Sequence, residues 1–320
     1  VAHDNGFGRS GRISALLDRL RRPAARPPMP MIVGSPRSGT TLLRFMLDSH
    51  PDLAIPPETW FLPAAKQLEG RGDALREQFF QTLIAFPPDA PLWPELGISE
   101  EAFAEALRGI RPFSVAEGLR LFYRMYAARF GKPRWGDKTP GYSHHLRAIQ
   151  DLLPEARFIH LVRDGRDAAV SLRERWFSPG RDIEVQARHW RDNVTAARTE
   201  GAACRHFLEV RFENLLRDPE TVLRRICAFV ELDFHAGMLR YPERVPERLE
   251  EHRARYRVDG SLLVSREERL RQQAHTRLAP DLGKIGVWRR ELSEEEARRF
   301  EEIAGDLLAA YGYRRAGEIE

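Results

Sequence analysis

The sequence predicts an α/β fold: a central parallel β-sheet flanked by helices on both faces, three layers in all. Three observations carry this. Short apolar runs at 31–33, 158–162 and 207–212 have the length of buried strands. Each run leads into a stretch whose apolar residues recur at helical spacing. Strands therefore alternate with helices along the chain, the pattern of parallel pairing.

Taken in order, 21–30 is rich in arginine and proline and leads into the first strand, which ends at Gly34. Leu42, Leu43, Phe45, Met46 and Leu47 then predict a buried helix over 40–48, stopped near Pro51. Residues 53–55 read as a second short strand. The stretch 86–97 holds four prolines and reads as a surface loop. Ser114 with Glu117 has the pattern of a capping box. Behind it Val115, Leu119, Phe122, Tyr123, Tyr126 and Phe130 form a helical stripe that Gly131 should stop. Helices are expected over 141–153, from Asp164 to about Trp176, over 184–199, and from Pro219, where proline suits a first turn. From 241 to 277 apolar residues thin out, so this segment reads as a mobile or ligand-covering piece. A last helix starts at Ser293, with Glu296 completing a capping box and Phe300, Ile303, Leu307, Leu308 and Tyr311 on one face.

Composition narrows the function classes. The 320 residues carry 51 basic and 47 acidic side chains, a formal charge of +4. That is too mild for a nucleic-acid coat but compatible with a local basic pocket for a small polyanion. No recognition motif for nucleic acid is present. Two cysteines make no disulfide framework, so a reducing, cytoplasmic setting is the expectation. No apolar run reaches the length of a membrane span, and residues 1–11 lack the apolar core of a signal peptide. Residue 1 is valine, so whether a targeting segment precedes it stays open. The oligomeric state is not readable.

Two strand–turn–helix units are candidate anion sites. In Gly34-Ser35-Pro36-Arg37-Ser38-Gly39-Thr40-Thr41, glycines let successive backbone N–H groups face an anion at a helix N-terminus. Arg37 adds charge, and Ser38, Thr40 and Thr41 add hydroxyls. The glycine spacing is P-loop-like, but Thr40 stands where a P-loop nucleotidase has its lysine. In the second unit Arg163 ends a strand, where open α/β sheets place ligands. Asp164 is placed to cap the next helix. Ser171 and Arg175, four apart, share a helix face, so Arg163, Ser171 and Arg175 are expected to converge on one phosphate. The bland alternatives are an ordinary Gly-Ser turn and a solvated basic helix.

Two residues suit catalysis. Lys138, in the turn Asp137-Lys138-Thr139-Pro140, can stabilise charge on a leaving group. Glu58, between Pro57 and Thr59-Trp60, can act as a general base. Surface roles are the alternative for both. His144 and His145 are read as capping or surface residues. No cluster has metal-ligand spacing, so no metal is expected.

These motifs, in this order, resemble the PAPS-dependent sulfotransferases, with the nearest likeness to the bacterial and tyrosylprotein branch. Arg211-Phe212-Glu213-Asn214-Leu215 and Gly286-Val287-Trp288 extend the likeness over about residues 30–290. The resemblance implies a P-loop-like fold and sulfuryl transfer from 3′-phosphoadenosine 5′-phosphosulfate (PAPS) to a hydroxyl acceptor, releasing adenosine 3′,5′-bisphosphate. Arg37, Ser38, Gly39, Thr40 and Thr41 would hold the 5′-phosphosulfate. Arg163, Ser171 and Arg175 would hold the 3′-phosphate end, and Lys284 and Trp288 would close over the nucleotide. Lys138 would serve the leaving oxygen and Glu58 the acceptor proton. The family often has tyrosine where Phe212 stands, and the tyrosylprotein enzymes have lysine where Val287 stands. The acceptor would be a small molecule, a carbohydrate or a peptide tyrosine. The expected organisation is a polar extension over 1–29 and one domain over 30–320. A helical insertion at 63–130 would line the acceptor pocket, and a charged segment at 241–290 would cover the cofactor. The competing readings are a P-loop-like phosphotransferase, which would need a magnesium-binding acid where Arg163 stands, and a non-catalytic nucleotide-binding module.

Overall fold

A computed structural model of the chain describes residues 26–317. The extension expected over 1–29 lies outside the described residues as far as residue 25. The described residues form eight strands: β1 (Met29–Val33), β2 (Leu53–Ala54), β3 (Arg134–Trp135), β4 (Asp137–Lys138), β5 (Ala156–Val162), β6 (Phe207–Arg211), β7 (Arg255–Tyr256) and β8 (Leu262–Val264). The central sheet has the order β4-β1-β5-β6 and is parallel throughout. Every residue of β1 is buried, as expected of a strand covered on both faces.

The two faces of β1 go to different packing clusters. Met29, Met31 and Val33 pack with the helical insertion, whereas Ile32 packs with the helices that follow β1 and β6. Period-two alternation thus gives the three layers directly. Helices α1 (Thr40–Asp48), α2 (Leu62–Lys66), α3 (Gly72–Ile84), α4 (Trp93–Leu96), α5 (Glu100–Arg108) and α6 (Val115–Ala128) precede β4. Then come α7 (Leu146–Leu152), α8 (Gly165–Leu172), α9 (Ile183–Ala202), α10 (Phe212–Arg217), α11 (Pro219–Phe229), α12 (Val245–Leu249), α13 (Arg266–Gln272), α14 (Trp288–Glu291) and α15 (Glu294–Ala310).

Several elements differ from expectation, each for a local reason. The proline-rich stretch 86–97 is not simply surface. Pro94 sits in the first turn of α4, where its missing N–H costs nothing, and Ala90, Trp93 and Leu96 are buried. Ser114 caps α6, but the Glu117 carboxylate bonds to Arg26 and Arg120 instead of closing the box. At Ser293 both halves of the box form. The helix expected over 141–153 begins as a 3₁₀ turn at Pro140–His144 and becomes α-helical only at Leu146. The helix after Asp164 ends at Leu172, short of Trp176. The segment from Tyr241 onward is anchored in the core: Tyr241, Val245 and Leu249 are buried in the cluster that holds α1. Its charges are buried in pairs: Arg248 Nε lies 2.8 Å from Asp48, and Glu251 lies 3.0 Å from Arg44. No helix among the described residues is long and apolar enough to cross a membrane.

Candidate functional site

The carboxyl ends of β1, β4 and β5 open onto a cavity of about 960 Å³. Strand register sets what meets there. Ile32 pairs with both Lys138 and Ile159, so the loop after β1 leaves the sheet between Lys138 and Arg163. That loop is built on glycine. At Gly34, with φ of 152°, an added Cβ would lie 2.5 Å from the Leu161 carbonyl oxygen. At Gly39, with φ of 93°, it would lie 2.3 Å from the Phe212 ring. Arg37 also takes a positive φ, 68°, which turns its side chain into the cavity. Arg37, Gly39, Thr40 and Thr41 line the wall. Ser38 is not part of the cavity wall. Its hydroxyl is buried and donates to the Ser35 carbonyl at 2.6 Å, tying the loop to itself.

Three arginines gather beside this loop. Arg37 Nε donates to Ser171 Oγ at 3.0 Å, and Arg175 Nε donates to the Ser171 carbonyl at 3.1 Å. Arg175 lies beyond α8; the turn that brings it back is closed by its own N–H on the Leu172 carbonyl. Arg163 donates to the carbonyls of Arg37 and Lys284, at 3.2 and 2.7 Å, and stacks on Phe212 at 4.8 Å. Its Nε is buried with no partner among the described residues. Burial, then the charges of Arg175 and Arg163, push the Arg37 guanidinium down to about 10. Glu58 offsets the Arg37 shift only in part, and Asp167 lies 3.9 Å from Arg163, so the wall keeps several buried guanidiniums side by side, a setting that suits an anion.

Lys284 lines the same wall, but Trp288 does not. Asp167 accepts the backbone N–H groups of Gly286 and Trp288, at 2.8 and 2.9 Å. That turn sends the Trp288 indole inward, where it is buried beneath the Arg166 guanidinium at 3.7 Å. Trp288 packs with Trp190 and Phe300 behind the site, and Val287 and Arg290 face the cavity instead.

Glu58 and Lys138 meet as a pair. Lys138 Nζ lies 2.6 Å from Glu58 Oε1 and 3.4 Å from Thr41 Oγ1. The lysine is buried, while Glu58 keeps 35% of its side-chain surface exposed. Burial pushes the Glu58 carboxyl up, but the charge and hydrogen bond of Lys138, with a hydrogen bond from Trp60, hold it below the ordinary carboxylate range. Burial pushes the Lys138 ammonium down, and Glu58 limits the drop. Thr59, next to the glutamate, is locked: its Oγ1 donates to Asp137 at 2.8 Å and its N–H to Thr139 Oγ1 at 3.0 Å.

Some wall residues were invisible in the sequence. His252 is 8% exposed and its Nδ1 has no partner among the described residues. Burial, then Arg269, Arg44 and Lys138, hold its imidazole neutral, down to about 2. Arg269 is bidentate on Glu95, and Arg255 reaches the Ala90 carbonyl at 2.8 Å. Nothing in the local sequence around 252–269 marks these residues, because the segment reaches the cavity only by folding back over α1. His144 and His145 lie off the wall, His144 bonding Asn193 at 3.3 Å. Among the described residues no group of His, Cys, Asp or Glu is arranged to hold a metal ion.

The cavity thus joins an arginine-rich half to a half holding the Glu58–Lys138 pair. Comparison with known proteins agrees in kind. The profile of a family described as "Sulfotransferase family" matches residues 28–236. Nodulation protein NoeE of Sinorhizobium fredii is 30% identical over 322 residues, which cover 90% of this chain and 67% of that protein. The protein-tyrosine sulfotransferase of Drosophila melanogaster is 28% identical over 68% of this chain and 40% of its own length. Among solved structures, the sulfotransferase domain from the curacin biosynthetic pathway has a TM-score of 0.57 at 18% identity, covering 91% of this chain and 99% of that domain. The last likeness is one of fold.

Proposed function

Because the chain belongs to the sulfotransferase family, we propose that it transfers a sulfuryl group from PAPS to a hydroxyl acceptor and releases adenosine 3′,5′-bisphosphate. One observation carries this reading: the Glu58–Lys138 pair, at 2.6 Å, stands beside the cluster of Arg37, Arg163 and Arg175 in a single cavity. A donor with phosphates at both ends needs two anion sites, and this chain offers two adjoining ones. The fit is chemical: an anion would offset the burial and the neighbouring arginine charges that depress Arg37, and it would lie near the buried, unpartnered Nε of Arg163.

In this reading the backbone N–H groups at the start of α1 and the hydroxyls of Thr40 and Thr41 hold the 5′-phosphosulfate, with Arg37 as the charged contact, while Ser38 braces the loop. Arg163, Ser171 and Arg175 hold the 3′-phosphate, and Lys284 borders the nucleotide. When bound, PAPS supplies the sulfuryl group. Glu58 takes the proton of the attacking hydroxyl, and Lys138 holds the charge that builds on the leaving phosphate oxygen. Once Lys138 turns to that oxygen, Glu58 loses its main acidifying neighbour and becomes a stronger base. Residues 63–130 form the acceptor side, and the segment 241–290, which brings His275 near Lys284, Arg37 and Arg175, covers the cofactor. A small molecule, a carbohydrate or a peptide tyrosine would suit the chemistry, and the tyrosine-sulfating relatives favour testing the last first.

The test is ligand-dependent melting followed by turnover. Adenosine 3′,5′-bisphosphate should raise the melting temperature without magnesium, since a ligand bound only to the folded state stabilises it. ATP should do so much less. Sulfated product should then appear with PAPS and at least one hydroxyl class. Stabilisation by ATP equal to that by the bisphosphate, and only with magnesium, would overturn the reading. Nucleotide binding with no product from any acceptor class would make the chain a binding module.

A further inference from the structure

Trp60 stands in a conformation that large side chains avoid. Its φ is 59°, in the left-handed region, where a bulky aromatic is a genuine outlier. The strain is imposed from both sides. Thr59 is fixed through its N–H and its hydroxyl, and Phe61 is buried. The Phe61 N–H donates to the Thr59 carbonyl at 2.7 Å across Trp60, closing a three-residue turn of a kind rarely seen. The ring lies on Gly141, where an added Cβ would come within 2.4 Å of it. The indole N–H then donates to Glu58 Oε2 at 2.9 Å, while Lys138 takes Oε1. Yet the ring is not core: 39% of the residue is exposed, on the cavity wall. A strained, half-exposed tryptophan that contributes little packing and one hydrogen bond to a single carboxylate calls for a functional reason.

We propose that Trp60 is a positioning residue for Glu58: its indole N–H fixes the carboxylate plane and keeps that carboxylate ionised when Lys138 turns to the leaving oxygen. The proposal rests on the reading of Glu58 as the acceptor's base. With Lys138 redirected, the indole is the remaining neutral donor on Glu58. The other charges that face the carboxylate are Arg37 from the loop after β1, Arg255 from β7 and Arg269 from α13. None of the three makes a direct hydrogen bond to it among the described residues.

The sign of the effect follows. A hydrogen bond donated to the ionised form lowers a carboxyl's pKa, so removing the donor raises it. Trp60→Phe keeps a ring and loses the N–H. Its acid limb in kcat, which reports the complex, should move upward by about one pH unit, and kcat at neutral pH should fall roughly tenfold because the ionised carboxylate loses its fixed plane. Binding of adenosine 3′,5′-bisphosphate and the melting temperature should stay near wild type. Gly141→Ala gives a second route, since it displaces the ring without removing the indole, and it should shift the limb the same way. A readout independent of turnover is the Trp60 indole ¹⁵N–¹H resonance, which should titrate with Glu58 in wild type and lose that step in Glu58→Ala. An unshifted limb in both variants, with an indole resonance indifferent to Glu58→Ala, would sink the positioning role while leaving the base intact. Near-full activity of Glu58→Gln beside a titrating indole would instead remove the base and keep the contact.

Discussion

Lys138 Nζ and Glu58 Oε1, 2.6 Å apart, are opposite charges each aimed at the other and at the same cavity. Their individual worth is separable by kinetics. On the proposed reading the charge of Lys138 acts as the bond to sulfur breaks. Lys138→Ala should therefore lower kcat by roughly 100-fold while changing the affinity for adenosine 3′,5′-bisphosphate far less. Glu58→Gln keeps the shape but cannot take a proton. Nucleotide binding should survive, and transfer should fall by about 100-fold or more. That loss should shrink for an acidic phenol, which surrenders its proton more readily than an alcohol. Calorimetry beside initial rates checks both, and near-full activity of Glu58→Gln would move the base to His252, the neutral imidazole on the same wall. These two residues were legible through their local motifs, although Asp137-Lys138, expected as a turn, is strand β4 and the turn begins only at Pro140. His252 and the indole contact of Trp60 were not, since both depend on chain segments that meet only in three dimensions.

At the scale of elements, the proposed function would divide the anion work between the two strand–turn–helix units, the loop after β1 taking one end of the donor and the end of β5 with the start of α8 the other. Arg163→Ala or Ser171→Ala should weaken binding of the 3′-phosphorylated nucleotide by about 10- to 150-fold, the size of a lost charge-assisted contact. A nucleotide without the 3′-phosphate should be nearly unaffected, and equal loss for both would make these residues structural. Strands β1 and β5 and helix α1 were read from apolar runs because burial leaves so little choice of residue, whereas β4, made of Asp137 and Lys138, offered no such run and read as a turn. The side a turn faces was not readable. Trp288 looked like a cover for the nucleotide, yet two hydrogen bonds to Asp167 face the indole inward. Ser38 sits among the binding residues in sequence but spends its hydroxyl on Ser35. Spacing specifies which residues are near a site and is silent on which of their atoms are already taken.

At the scale of the molecule, the folded-back segment after residue 241 is held by ions rather than by apolar area alone. Arg44, 1% exposed at its side chain, donates to the Ile55 carbonyl at 2.9 Å and to Glu251 at 3.0 Å, and Tyr126 shares that glutamate at 2.6 Å. Glu251→Ala would leave Arg44 buried without its counter-charge. Stability should drop by about 3–5 kcal/mol, measured by urea unfolding, because an orphaned buried charge costs its desolvation. A loss below ~1 kcal/mol would show that water reaches Arg44. The sequence could not show this, since charge density there looks like a solvated face until partners from α1 and α6 arrive. The sheet has the opposite character. Ile32 stands opposite Lys138 in a ladder whose strands are spaced about 4.8 Å apart, and a one-residue slip would turn the lysine to the other face. Backbone pairing therefore works as a gauge block: the interval between the loop after β1 and the lysine is machined into the hydrogen-bond lattice, not adjusted by side chains. A change in the surrounding loops would leave that interval as it is, because the hydrogen bonds that set it run between β1 and β4 and not through the loops.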